Sequence, residues 1–286
     1  MPTRWNYLVS ETLFASELVA TGVRRLCAVP IRDDDWPVGH AQMYPLHVGL
    51  HAYTSGLERL CKLTIACHGF VTDGTFPPLR PFGHKIGELL DAVEKLDFST
   101  GPALHKAPAV RPADYLDPAL TDMIERFANG AGRYEHLDSL WNERAAVATL
   151  KSWGQLCADA TLSDRVHHLL SIRVAVIHAV RTLCTNGDLE ASAFAILDPV
   201  DLFLSERSIA VALHLYQKAS WVASTLDAVT YYTHQGLPLL GEAVQDIVAA
   251  PESFFQYSVA QIEDEQVTLV ELEEHYKHHK DLDDDW

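Results

Sequence analysis

An all-α fold, an antiparallel helical bundle extended by additional C-terminal helices, is what this chain predicts, and three observations carry it. Apolar residues recur at i, i+3, i+4 and i+7 over several long stretches. The strict alternation of β-branched and polar residues that makes half-buried strands is scarce. Asp-Pro, Asn-Gly and proline-rich interruptions fall between the periodic stretches, where helices must start and stop.

Taken in order, residues from about Glu11 to Leu26 form a first amphipathic segment, and PIRDDDWP, Pro30 to Pro37, reads as a loop. A long helix follows from about Tyr44 to Phe70. Its apolar face runs through Leu46, Leu50, Tyr53, Leu57, Leu60, Cys61, Thr64, Ile65 and His68, and Glu58 and Lys62 flank it one turn apart. Gly74, Pro77, Pro78 and Pro81 rule out a regular helix over 71–81, and a short helix begins near Gly83. The stretch Thr100 to Pro112 reads as a second connection. Asp117-Pro118 supplies a side-chain acceptor at a helix cap and a proline at the first position, with the helix running to about Asn129 and stopping at Gly130 and Gly132.

Arg133, Tyr134 and His136 lie in the turn that follows. Ser139 to Asp159 and Ser163 to Cys184 are read as two further helices, closed by Asn186-Gly187, and Asp198-Pro199 opens a helix that contains Arg207 and His214. Ala223 to His234 and Leu237 to Ala250 are read as helical, with Pro251 as a break. No repeat of fixed period is evident.

Composition narrows the class. A chain of 286 residues with 48% hydrophobic and 21% charged residues can bury a sizeable core and does not have the make-up of a disordered protein. No unbroken apolar run reaches the roughly 18 residues that cross a bilayer, and MPTRWNYLVSETLF lacks the apolar core of a secretory signal, so a cytoplasmic protein without a membrane partner is expected. Cys27, Cys61, Cys67, Cys157 and Cys184 are scattered and odd in number; they read as reduced core residues. The formal charge of -17 is uneven, with eleven acidic residues against Lys277 and Lys280 from Glu252 onwards. That acidic appendage solvates the protein or meets a basic partner chain, and nucleic-acid binding would need a local basic patch.

A helix bearing Glu58-x-x-x-Lys62, a short loop, then Gly83-His84 opening another amphipathic helix resembles the HEPN superfamily, and Gly132-Arg133-Tyr134 is similar to the Arg-Tyr motif that many of its members carry before their last core helix. The resemblance covers roughly residues 40 to 160. It implies a HEPN-like helical core over 1–160, an additional helical region over 161–263 packed on that core, and an acidic, histidine-containing tail over 264–286. It also implies a homodimer, and a component of a prokaryotic defence or toxin–antitoxin system that binds RNA or a nucleotide. Glu58, Lys62, His84, Arg133 and Tyr134 carry over as nucleotide-contacting or fold-specifying positions.

Catalytic HEPN proteins cleave RNA without metal through an arginine and a following histidine with four to six residues between them, both protomers lining one cleft. Arginine can grip the scissile phosphate in a bidentate manner and histidine can move a proton from the ribose 2′-hydroxyl near neutral pH. The spacing occurs twice here, at Arg173 to His178 and at Arg207 to His214, where chance alone gives about two such pairs in a chain of this make-up. Seven residues return to nearly the same helical face, which favours Arg207 and His214, with Trp221 seven further on; five residues put Arg173 and His178 about 140° apart. Both pairs fall downstream of the stretch that carries the resemblance.

Two other readings stand beside this one. The first is a non-catalytic helical module that binds a protein partner through its acidic C-terminus. The second is a metal-dependent enzyme built on Glu271, His275, His278 and His279, with His47/His51 and His167/His168 as weaker pairs. HExxH, GxSxG and the phosphate-loop motif are absent, and no resident metal or other cofactor is expected.

Overall fold

The computed structural model describes residues 3–31, 40–99, 104, 106–130, 132–138, 140–141, 148–162, 206–231 and 237–248. These residues build an all-α bundle, and no strand occurs among them. The helices are α1 (Thr3–Cys27), α2 (His40–Asp73), α3 (Ile86–Glu94), α4 (Ala119–Ala128), α5 (Glu135–Asp138), α6 (Ala148–Asp159), α7 (Glu206–Thr230) and α8 (Gln245–Val248), with 3-10 turns at Arg80–Phe82 and Gly241–Val244. None of the helices searched among the described residues is long and apolar enough to cross a membrane.

α1 and α2 form an antiparallel hairpin that meets through glycine. A Cβ on Gly22 would sit 2.5 Å from the Tyr53 nitrogen, and one on Gly56 would sit 2.8 Å from the Ala15 carbonyl oxygen. Neither helix can carry a side chain there, so the backbones approach closely and Val19, Leu26, Leu50 and Leu57 are wholly buried. α7 lies against both helices and completes the core with Leu215, Tyr216, Ala219, Val222 and Leu226, which belong to the same apolar cluster as the α1–α2 hairpin. Two hydrogen bonds tie α7 down: the Tyr53 hydroxyl donates to the Leu215 carbonyl at 2.7 Å, and the Ser208 hydroxyl donates to the Val29 carbonyl at 2.7 Å. Ser208 Oγ also lies 3.2 Å from Trp153 Nε1, which donates to it from the fully buried indole of α6.

Several elements differ from the sequence reading. α1 begins eight residues earlier than Glu11, at Thr3. The helix read over 139–159 does not include its first residues: Leu140 and Trp141 lie in a turn, and α6 is described over Ala148–Asp159. The stretch read as two helices around Arg207 and Ala223 is one continuous helix, because its buried face runs unbroken from Ser208 to Thr230 with no glycine or proline inside. Of the helix read over Leu237 to Ala250, the described residues 237–240 are not helical, and 241–248 form a 3-10 turn followed by one α turn. Asp117 does not cap α4: Pro118 holds the cap position without a side-chain hydrogen bond, and the Asp117 carboxylate instead accepts from the Thr121 hydroxyl and Lys218. The helices read over Ser163–Cys184 and from Asp198 to 205 lie outside the described residues.

Candidate functional site

α2 carries the polar edge that the sequence reading singled out, and three polar groups are arranged along the bundle. The first is the one predicted. Gly83, at φ +55, turns the chain at the end of the 3-10 segment and sets His84 back against α2. Glu58 Oε1 then lies 2.6 Å from Lys62 Nζ, and Glu58 Oε2 lies 2.9 Å from His84 Nδ1. Lys62 also donates to the Gly83 carbonyl at 2.9 Å. One carboxylate therefore holds two cation-capable groups. Burial would raise the Glu58 pKa, but the hydrogen bonds from His84 and Lys62 outweigh it and hold the carboxyl below its ordinary value. The His84 ring is 58% exposed, so the face away from Glu58 is open to solvent.

The second group lies at the turn between α4 and α5. Gly130, at φ +101, reverses the chain, and a Cβ on Gly132 would sit 2.5 Å from Phe127 Cδ2, so the turn is pressed against α4. Glu135 is buried and accepts the Thr149 N–H through both oxygens, at 3.0 and 3.3 Å, in the first turn of α6. His47 of α2 lies 3.7 Å from Glu135 and packs edge-on against Phe127. Arg133 acts on His51, one turn further along α2. Burial first, then the Arg133 charge, push the His51 pKa below its ordinary value. Tyr134 is exposed. The charge of Arg133 thus reaches the first half of α2, whereas Glu58 and Lys62 lie two turns or more beyond His51 on the same helix.

The third group was not predicted. Residues 106–117 run as a non-helical strap, ending in a turn over 115–117, that contacts α3, α7 and the residues just after α6. Asp114 Oδ1 lies 2.9 Å from His214 Nδ1 and Asp114 Oδ2 lies 2.7 Å from Lys218 Nζ. Both contacts lie within ion-pair distance, although Asp114 Oδ2 and His214 Nδ1 are buried without an aligned hydrogen bond. Lys218 is also 2.5 Å from Asp117 Oδ2. Burial would raise the Asp114 pKa, yet His214, Lys218 and the Leu116 N–H outweigh it and hold the carboxyl far below the usual carboxylate range. Arg111 pairs with Asp91 and Glu94 of α3 at 3.1 and 2.8 Å and lies over the Trp221 ring, whose Nε1 donates to the Ala109 carbonyl at 3.1 Å. Tyr115 packs edge-on against His214, and its hydroxyl accepts the Thr161 N–H at 2.8 Å. Lys106 pairs with Asp227.

The sequence reading missed this strap because 100–112 looks like a plain connection. A signal was present in α7: Lys218 interrupts the apolar run Val211, Leu215, Val222, and a lysine in that position must find carboxylates.

Arg207 and His214 have different surroundings. Arg207 is exposed in the first turn of α7, and His214 is mostly buried beneath Tyr115 against Asp114. Seven residues of helix separate them by about 10 Å along the axis. Arg173, His178, His167, His168 and the Glu271, His275, His278, His279 group lie outside the described residues. Among the described residues no three His, Cys, Asp or Glu side chains are placed to hold a metal ion, so His47 and His51 have no third ligand there. Cys27, Cys61, Cys67 and Cys157 are buried thiols outside any disulfide, and burial pushes the Cys67 and Cys157 thiols up to about 12. No protein-family model, no curated protein and no solved structure matches this chain.

Proposed function

We propose that the chain is a HEPN-like component of a prokaryotic defence or toxin–antitoxin system, cytoplasmic and homodimeric, that binds RNA or a nucleotide along the edge of α2. The observation that supports it is the meeting of Glu58, Lys62 and His84 from two segments of the sequence. Glu58 takes one Lys62 donor and Gly83 takes a second, which leaves the third ammonium N–H for a ligand oxygen. His84 is bound through Nδ1, which leaves Nε2 for the same use. With His84 protonated, two positive charges face one negative, a local sign opposite to that of the whole chain and suited to phosphate. Titrating the full chain with AMP and a short single-stranded RNA tests this. Lys62→Met and His84→Gln should each weaken binding about tenfold; unchanged affinity in both removes this edge from ligand binding.

The proposal extends to metal-free RNA cleavage by Arg207 and His214. In that role Arg207 grips the scissile phosphate, and His214, oriented through Nδ1 by Asp114, moves the 2′-hydroxyl proton with Nε2. Arg207→Ala and His214→Gln should each abolish RNA degradation, and full activity in both takes the pair out of the mechanism.

A second reading, a non-catalytic helical module that binds a protein partner, draws on Tyr134, Leu137, Leu140 and Trp141, which stand exposed within eight residues of each other. Removal of residues 264–286 with no loss of partner affinity would set aside the acidic tail as its docking element.

A further inference from the structure

We propose that the groove between α4 and α6 binds a basic amino acid, free or as the last residue of a peptide, by its carboxylate and its side-chain cation together. The groove shares no residue with the Glu58–Lys62–His84 edge, and the inference does not depend on ligand binding there. A cavity of about 660 Å³ opens between the two helices. That volume falls within the roughly 300–1,000 Å³ of ordinary small-molecule sites. Asp122, Arg126 and Asn129 line it from one face of α4, and Ser152, Gln155 and Asp159 line it from one face of α6. Leu156 is buried and forms an apolar floor.

Two contacts fix how the helices run. The Arg126 guanidinium donates to the Ser152 hydroxyl at 3.0 Å, and the Tyr115 hydroxyl, just before α4, accepts the Thr161 N–H, just after α6, at 2.8 Å. α4 and α6 are therefore antiparallel, with Arg126 and Ser152 toward one end of the groove and Asp159 at the other. Measured along the axes from the Arg126–Ser152 level, Asp122 lies about 6 Å away and Asp159 about 10 Å away in the same direction. Glu125, also on the rim, is committed to α3, because its Oε2 accepts the Gly87 N–H at 2.7 Å. The other three charges are not. Asp122, Arg126 and Asp159 form no ion pair among the described residues; Arg126 meets a neutral hydroxyl, and Asp159 meets the neutral Gln155 amide at 3.5 Å.

One anion-binding group and two cation-binding groups, set apart along a trough with an apolar floor, describe a ligand with a negative end, a hydrocarbon arm and a positive end. In an extended lysine the side-chain nitrogen stands about 7 Å from the carboxylate, given bonds near 1.5 Å. That length falls between the two axial separations. With its carboxylate on Arg126, which suits bidentate pairing, the ligand passes its methylenes over Leu156 and brings its cation to Asp122 and Asp159. A dicarboxylate would set an anion against Asp122, and a plain diamine would set a cation against Arg126, so the charges select against both. The cavity is larger than one amino acid. Water or a preceding peptide unit takes the remaining space, and the Asn129 and Gln155 amides can meet either. The charged rim is exposed to solvent, so binding is weak, about millimolar.

The test titrates the full chain at low salt with L-lysine, the peptide Gly-Gly-Lys, the same peptide with its C-terminus amidated, cadaverine and glutamate, each followed by backbone amide shifts in NMR. Lysine, the free-acid peptide or both should bind and move the amides of α4 and α6. Tighter binding of the peptide assigns the groove to a peptide C-terminus, and equal or tighter binding of lysine assigns it to the free amino acid; either supports the proposal. The amidated peptide, cadaverine and glutamate should bind about tenfold more weakly or not at all. Arg126→Gln should bind lysine no better than cadaverine, and the double variant Asp122→Asn, Asp159→Asn should lose lysine binding, while Lys62→Met keeps it. All three rim residues are exposed, so these changes leave the fold intact. Absence of binding by both lysine and the free-acid peptide, shifts confined to other helices, or cadaverine binding as tightly as lysine overturns the proposal.

Discussion

The Asp114 carboxylate is shared between His214 and Lys218, at 2.9 and 2.7 Å, across 100 and 104 residues of sequence. Asp114 and Lys218 are each 3% exposed, so Asp114 relies on Lys218 for compensation, and Lys218 on Asp114 together with Asp117. Removing one member of a buried pair leaves an uncompensated charge. Lys218→Met and Asp114→Ala should each destabilise the chain by about 3–5 kcal/mol, with the double variant costing less than the sum. Urea unfolding of the four proteins measures this coupling, and strict additivity would dissolve the pair.

The same carboxylate sets an acid limit. Its pKa is depressed in the folded protein relative to an ordinary value of about 3.9, so its contribution to stability is complete above that value and is lost as pH falls through the folded-state pKa. Wild-type stability should fall more steeply than that of Asp114→Asn below about pH 4. Glu58 adds a smaller loss of the same sign, since its carboxyl is also held below the ordinary value. Denaturant midpoints measured from pH 5 down to pH 2 decide it; parallel curves for the two proteins would contradict the assignment.

The α1–α2 contact depends on the lack of a side chain. Gly22→Ala and Gly56→Ala place a methyl against backbone atoms at 2.5 and 2.8 Å, and each should cost about 1–3 kcal/mol through displaced helices. Gly154→Ala, at an α6 position with nothing within 4 Å of the added carbon, should be neutral or mildly stabilising. Thermal unfolding of the three variants gives the comparison.

Thiol chemistry offers a further measurement. Cys61, Cys67 and Cys157 are buried with raised pKa values, about 12 for the last two, so the nucleophilic thiolate is scarce in the folded chain. Iodoacetamide at pH 8 should leave these three unmodified until denaturant is added, as peptide mapping would show. Rapid native labelling at Cys67 would contradict its burial.

The long helices were legible because they are long and periodic. The stripe from Leu46 to Cys61 and the buried face of α4 (Leu120, Met123, Ile124, Phe127) declare themselves at helical spacing. The meeting of Glu58, Lys62 and His84 was legible too, since two of the three share a face and the third opens the next helix. What sequence spacing does not encode is contact between distant segments. The strap 106–117 has no period of its own; its course is fixed by Arg111, Asp114 and Asp117 finding partners on α3 and α7. The Gly22–Tyr53 approach was invisible for a related reason, because a glycine within a helix signals only weakened propensity until the neighbouring backbone is known. Asp117 illustrates the competition directly: a residue suited to cap α4 is drawn off by Thr121 and Lys218.

Tyr53 and Val29 await partners that the ribosome delivers late. The carbonyl that takes the Tyr53 proton belongs to Leu215, 162 positions downstream, and the hydroxyl that meets Val29 belongs to Ser208, 179 positions downstream. During synthesis the α1–α2 hairpin therefore emerges with an uncovered greasy seam, and a chain released after residue 160 keeps it uncovered. Such a fragment would be a sticky, half-closed object, and α7 is the helix that seals it.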